Sequence, residues 1–265
     1  MISKFQFQPH LIDTTLPKRQ YYAQTVLADL DNDGHTEFIL GQQYGDIYWY
    51  KRGVDKQWTR HLLGKKSPSD VGACTFDVDG DGWIDFVAGG AWYQNSRNAH
   101  QPFKRHIFDR NLKAVHDLVA ADIDGDGQLE VLTMSDKNNL RWYKIPADPT
   151  QPWERHDIGR SVHAGLSVGD LDGDGDWDVF SCEMENVRGD RNPRFYIWEN
   201  TDGYGKTWKE HVILDMNLGG HATLVGDMTG NGSLDMLTKP WRASPKNALD
   251  GKMYVLFLEN VSFLK

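Results

Sequence analysis

Five times along the chain an aspartate- and glycine-rich nonapeptide recurs: DLDNDGHTE from Asp29, DVDGDGWID from Asp77, DIDGDGQLE from Asp122, DLDGDGDWD from Asp170 and DMTGNGSLD from Asp227. Each copy lies between two short apolar runs, so each is expected to be a loop joining two strands. The first aspartates stand 48, 45, 48 and 57 residues apart, the spacing of a propeller blade. Helical periodicity is nearly absent, whereas 26 glycines and 10 Trp, 10 Tyr and 11 Phe suit many short strands and tight turns.

The residue types in the loop point to a metal. Carboxylates at positions 1, 3, 5 and 9 converge oxygens on one point, and glycine at position 6 lets the chain wrap it. The ligand sets are Asp29, Asp31, Asp33 and Glu37; Asp77, Asp79, Asp81 and Asp85; Asp122, Asp124, Asp126 and Glu130; Asp170, Asp172, Asp174 and Asp178. In the fifth copy Thr229 and Asn231 replace two aspartates, leaving Asp227, Asn231 and Asp235 as a weaker set. Calcium, which tolerates mixed oxygen donors and water, is favoured over magnesium with its stricter octahedron. The competing explanation is a metal-free turn, because Asp and Gly favour turns by themselves.

A second period fixes the architecture. An aromatic residue followed three positions later by histidine occurs at Phe7/His10, Trp58/His61, Phe103/His106, Trp153/His156 and Trp208/His211. In the third unit, strands are expected over 118–121, 131–134, 140–145 and 153–158, with the loop 122–130 between the first two. Four antiparallel strands per unit and five units predict an all-β, five-bladed β-propeller forming one domain over 1–265. The C-terminal run 254–260 matches a third strand, so the N-terminal strand 5–13 is expected to complete the last blade and close the ring. The five repeated histidines are most simply structural.

The net charge of −9 argues against nucleic acid as a partner, and no apolar run reaches membrane-spanning length. Cys74 and Cys182 lie in different repeats and read as buried thiols rather than a disulfide. The N-terminus lacks a signal-peptide pattern, which leaves a cytoplasmic protein or a secreted or periplasmic one whose leader has been removed. A monomer is expected.

Three histidines fall outside the repeated set. His116, His163 and His221 precede their loop aspartates by six, seven and six residues, at the start of the innermost strand and so on the face opposite the loops. The turns after each second strand open on that face, and two are long, 183–194 and 239–251. They carry Glu183, Arg188, Arg191, Arg194, Lys239, Arg242 and Lys246. With Tyr44, Trp92 and Trp241 these residues predict a partly basic, aromatic-lined site for an acidic oligo- or polysaccharide. Paired surface charge without function is the plain alternative. A transition metal such as zinc held by His116, His163 and His221, with Glu183, is another.

The DxDGDGxxD/E loops, each preceded by a short apolar strand, resemble the FG-GAP/VCBS class of calcium-binding propeller repeats, known from integrin heads, fungal lectins and polysaccharide lyases. The resemblance covers nearly the whole chain and implies structural calcium on the face opposite the ligand. Related lyases cleave uronate polysaccharides by β-elimination, which implies His163 or His221 as base or acid and Arg188, Arg242 or Lys239 as the group that neutralises the carboxylate. A non-catalytic lectin and a protein-interaction scaffold are the other classes the pattern allows.

Overall fold

The computed structural model describes residues 8–17, 21–160, 164–184, 192–242 and 247–262. Blade 1 comprises β1 (Tyr22–Ala28), β2 (Glu37–Gln42), β3 (Ile47–Arg52) and β4 (Trp58–Gly64). Blade 2 comprises β5 (Ala73–Phe76), β6 (Asp85–Ala88), β7 (Ala91–Gln94) and β8 (Lys104–Ile107). Blade 3 comprises β9 (Val115–Ala121), β10 (Glu130–Ser135), β11 (Leu140–Lys144) and β12 (Glu154–Gly159). Blade 4 comprises β13 (Ala164–Gly169), β14 (Asp178–Cys182), β15 (Arg194–Asn200) and β16 (Trp208–Asp215), and blade 5 comprises β17 (Ala222–Gly226), β18 (Asp235–Lys239) and β19 (Leu256–Leu258). Every sheet is antiparallel with its strands in chain order. The innermost strands β1, β5, β9, β13 and β17 touch one another in that sequence. Among the described residues, the expected four-stranded blades of a five-bladed β-propeller are thus present in four copies, with a three-stranded fifth.

Alternation along the third strand builds the core between blades. Trp49 packs forward into a cluster with Phe86 and Tyr93 of blade 2, and Trp142 packs forward against Leu166 and Val179 of blade 4. The neighbouring residue points backward: Tyr93 donates its hydroxyl to the Lys65 carbonyl of blade 1, and Tyr143 donates to Asp109 of blade 2. Three of the repeated histidines cover tryptophans, with ring centroids 4.4 Å apart for Trp49–His61, 4.6 Å for Trp92–His106 and 4.1 Å for Trp142–His156. They are structural, as expected. Cys74 and Cys182 are free thiols, the latter fully buried.

A polar latch adds to this packing. Asn95, Asn200 and Asn260, each immediately beyond a third strand, donate through Nδ2 to the carbonyls of Leu30, Ile123 and Leu171 in the preceding blade's loop, at 2.8, 3.1 and 3.0 Å. Their own backbone N–H groups reach the loop aspartates Asp85, Asp178 and Asp235. A neutral amide thereby ties each loop to the one before it, with its hydrogen bonds satisfied in the core.

The expected closing strand, 5–13, lies partly outside the described residues. Residues 8–17 form no strand, so a fourth strand over 5–13 is not paired to β19 within the described residues; residues 5–7 lie outside them. Leu27 on β1 and Leu224 on β17 stay 66% and 69% exposed, so the flanks of the first and last blades are not buried against each other. The Asp13 carboxylate bonds Tyr50 and Arg60 of blade 1 at 2.7 Å each, which fixes this segment against the first blade.

Candidate functional site

The loop face carries four groups of oxygens in which one ligand atom per residue lies within 4.8 Å of the others: Asp29, Asp31 and Asp33; Asp77, Asp79 and Asp85; Asp122, Asp124 and Glu130; Asp170, Asp172 and Asp174. Glycine at position 6 makes the turn. Gly34, Gly82, Gly127, Gly175 and Gly232 have φ between 83° and 98°, and open space surrounds the site of a missing Cβ, so backbone conformation rather than crowding requires glycine there. Each of these glycines donates its N–H to the first aspartate of its loop at 2.7–3.2 Å.

The position-9 carboxylates have a second task. Glu37, Asp85, Glu130, Asp178 and Asp235 accept the N–H of loop position 2 at 2.8–3.1 Å, closing the loop on itself. Burial pushes Glu37 and Asp85 up to about 7 and Asp178 up to about 6, against the pull of these backbone donors. At loop position 7, burial followed by repulsion from Asp174 takes Asp176 to about 7. Buried oxygens Oδ1 of Asp31, Asp79 and Asp176 have no hydrogen-bond partner. Carboxylates held ready, crowded and under-satisfied are the donor set of a hard divalent cation.

Not every expected ligand is placed alike. Asp81 pairs with Arg97, and Asp126 with Lys144 at 2.6 Å. In the fifth loop Asp227 and Asp235 are engaged by backbone N–H groups, Asn231 caps the Ser233 N–H at 2.8 Å, and these residues form none of the four clusters. This copy keeps the shape of the loop through backbone hydrogen bonds alone.

On the opposite face the inner-strand histidines meet. His116 at the start of β9 and His221 just before β17 approach Nε2 to Nε2 at 3.1 Å with their rings nearly perpendicular, although blade 4 separates their blades. His116 Nδ1 lies 2.8 Å from Asp117 Oδ2, and that oxygen also accepts the Gly165 N–H at 3.1 Å. The proton between the two Nε2 atoms follows the charge of His116: the neutral ring, with Nδ1–H given to Asp117, accepts there, and the imidazolium donates. Burial lowers the basicity of His116, but the hydrogen bond to Asp117 and the charges of Asp117, Asp136 and Asp70 outweigh it, and its pKa is raised. His221 stacks at 6.2 Å on Trp241, which is 57% exposed, and the Arg242 guanidinium lies 5.1 Å from that indole.

The other expected site residues divide. Tyr44 is exposed, and Asp70 and Asp136 act on its hydroxyl as they do on His116, which places it on the same face. Lys239 is exposed at the end of β18. Trp92 is not a surface residue: it is completely buried, donates to the Pro149 carbonyl at 3.1 Å and belongs to the core between blades 2 and 3. Arg194 gives its guanidinium to Asp215 at 2.7 Å on the blade's own outer strand rather than to the histidines. Glu183 is buried and accepts the Arg194 N–H at 2.9 Å while its backbone bonds Arg194 and Gly220, so it anchors the base of the long loop. His163, Arg188, Arg191 and Lys246 lie outside the described residues. Sequence reasoning missed Asp117, whose only signal is that it follows His116, and missed Asp136; together with Asp70 they make the face mixed in charge rather than basic.

The model of the FG-GAP-like repeat matches four overlapping stretches, 29–88, 77–133, 122–181 and 170–238. No curated protein matches the chain. Among solved structures, the fold is similar to an Agrocybe aegerita lectin that recognises non-reducing terminal N-acetylglucosamine, at 18% identity and a TM-score of 0.53 over 90% of this chain and 66% of that one. It is also similar to the V. cholerae biofilm matrix protein Bap1, at 14% identity and a TM-score of 0.52 over 89% of this chain and 39% of that one. The chain therefore spans just under two thirds of the lectin's length and about two fifths of Bap1's. Both likenesses bear on the fold, and the four repeat matches, which run without a break from 29 to 238, carry the family: the chain belongs to the FG-GAP-like repeat proteins.

Proposed function

We propose that this protein is a calcium-stabilised propeller that binds an acidic carbohydrate on the face opposite its loops. The observation that carries the reading is the run His116, His221, Trp241 and Arg242, in which two imidazoles, an exposed indole and a guanidinium follow one another in contact. An exposed indole offers an apolar plane for the C–H face of a sugar ring, and a guanidinium pairs with a uronate carboxylate in two parallel hydrogen bonds. The lectin neighbour supports the carbohydrate class, and the four acidic clusters support calcium.

A glycan array probed with labelled, calcium-loaded protein tests this reading. Retention on uronate-containing glycans is expected; retention on neutral glycans alone would remove the acidic specificity, and a blank array would remove the carbohydrate reading.

The Asp117–His116 pair favours a second reading, cleavage by β-elimination. His116 would take the C5 proton of a uronate, the C–H electrons would form the C4–C5 double bond, and the C4–O bond would break with a proton delivered to the departing oxygen. A carboxylate-supported imidazole suits that proton transfer. Ultraviolet absorbance from an unsaturated product is the readout, and binding without absorbance would leave a lectin.

A further inference from the structure

The residue just after the inward-turned pair of each third strand differs between blades: Lys51, Gln94, Lys144, Glu199 and Glu259. In blades 1, 2 and 3 it reaches the metal loop of its own blade. Lys144 Nζ lies 2.8 Å from Asp124, 2.6 Å from Asp126 and 2.9 Å from Glu130, which is the place a bound cation would take. Lys51 Nζ likewise bonds Asp31 and, at 2.5 Å, Asp33. In blade 2 the neutral Gln94 makes a single hydrogen bond to Asp79 at 2.6 Å. In blade 4 the equivalent Glu199 is held by Lys209 and His211 and brings no cation into the loop.

A second difference runs with the first. The two blades with lysine have glutamate at loop position 9, Glu37 and Glu130, and no latch asparagine, since Arg52 and Ile145 stand there. Blades 2, 4 and 5 have aspartate at position 9, no lysine, and the latches Asn95, Asn200 and Asn260. Glu130 reaches the Lys144 ammonium, whereas the shorter aspartates reach the asparagine N–H.

We propose that Lys51 and Lys144 are tethered counter-cations that take the metal position in blades 1 and 3, so that tight calcium binding is confined to blades 2 and 4. The Lys144 ammonium pairs with three carboxylates and the Lys51 ammonium with two, and a fixed positive charge there repels a divalent ion at contact distance. In blade 3, where Lys144 reaches three carboxylates, no described loop carboxylate keeps a buried oxygen without a partner, whereas Asp31, Asp79 and Asp176 in blades 1, 2 and 4 each keep one at Oδ1. The inference rests on the calcium reading of the loops.

Calcium titration of the chelated full chain by calorimetry, with bound terbium luminescence as a second readout, tests it in wild type, Lys51→Gln, Lys144→Gln and the double variant. Glutamine already stands at this place in blade 2, so the fold accommodates it, and circular dichroism checks that it does. Two tight sites are expected in the wild type, three in each single variant and four in the double variant, each new site tightened at least about tenfold. Four equally tight sites in the wild type, unaltered by the substitutions, would overturn the inference and keep calcium. No binding in any of the proteins would overturn the calcium reading itself.

Discussion

The Asp13 carboxylate accepts a hydrogen bond from Tyr50 at 2.7 Å, and Asp109 accepts one from Tyr143 at 2.9 Å. The two aspartates are equivalent, each six residues beyond the phenylalanine of its repeat, Phe7 and Phe103. Residues 8–13 thus stand against blade 1 as the outer strand of blade 2 stands against blade 3, although no ladder joins them to β19. Tyr50→Phe and Tyr143→Phe are expected to cost about 1 kcal/mol each in denaturant unfolding. A silent Tyr50→Phe beside a costly Tyr143→Phe would show that the N-terminal segment is not docked. The N–H of Thr15, then Tyr50, hold Asp13 down to about 2, so its contribution is present above the ordinary carboxylate range and is lost as pH falls through about 2.

The asparagine latches are expected to be the most sensitive polar positions of the core. Asn200 is fully buried, donates to Ile123 and accepts from Gly205. Asn200→Ala leaves those backbone groups unpaired and is expected to cost about 2–3 kcal/mol. Denaturant midpoints for Asn200→Ala and Ile145→Ala separate latch from packing: a small loss in the first would refute the latch.

Metal-free protein is expected to have an inverted acid response. The folded values of Glu37 and Asp85, near 7, lie above their ordinary ones, so the folded state binds more protons between about pH 4 and 7. Stability of the chelated protein is therefore expected to fall as pH rises through that window, and calcium is expected to restore it at pH 7 by mass action. Melting curves at several pH values, with chelator and with calcium, measure both effects. A chelated protein whose melting temperature rises over that window would contradict the assignment.

Because the pKa of His116 is raised, its imidazolium persists above the usual histidine range, beside Asp117 and His221 and within reach of Asp70 and Asp136. Affinity for an acidic glycan is expected to be greatest below that raised pKa and to decline as pH climbs through it. His116→Gln is expected to flatten the profile. An affinity independent of pH in the wild type would place the charge recognition elsewhere.

Most of the fold was legible because each blade repeats the same physical demands. The strand–loop–strand period, the aromatic pair and the stacked histidines appear in the sequence as spacings, and the convergence of His116 and His221 followed from counting back from the loop aspartates. Trp92 was misread as a surface residue because a tryptophan beside a turn looks alike whether it faces solvent or the next blade. The acidic side of the histidine face was hidden because Asp117 on β9 and Asp136 just after β10 come from blade 3 and Asp70, just before β5, from blade 2, and no repeated motif marks them as a group. The lysines in loops 1 and 3 were equally hidden: they lie outside the loop motif and enter it only through strand pairing.

The central claim is that the loops hold the fold while the histidine face holds the ligand. Calorimetric titration of a uronate oligosaccharide into calcium-loaded wild type and Trp241→Ala, with melting temperatures recorded for both, tests it most directly. Loss of binding by at least about tenfold, from one lost stacking contact, with an unchanged melting temperature is the expected result. Undiminished binding by Trp241→Ala, together with loss of binding in an Asp172→Asn loop variant that still folds, would place the ligand on the loop face and contradict the claim.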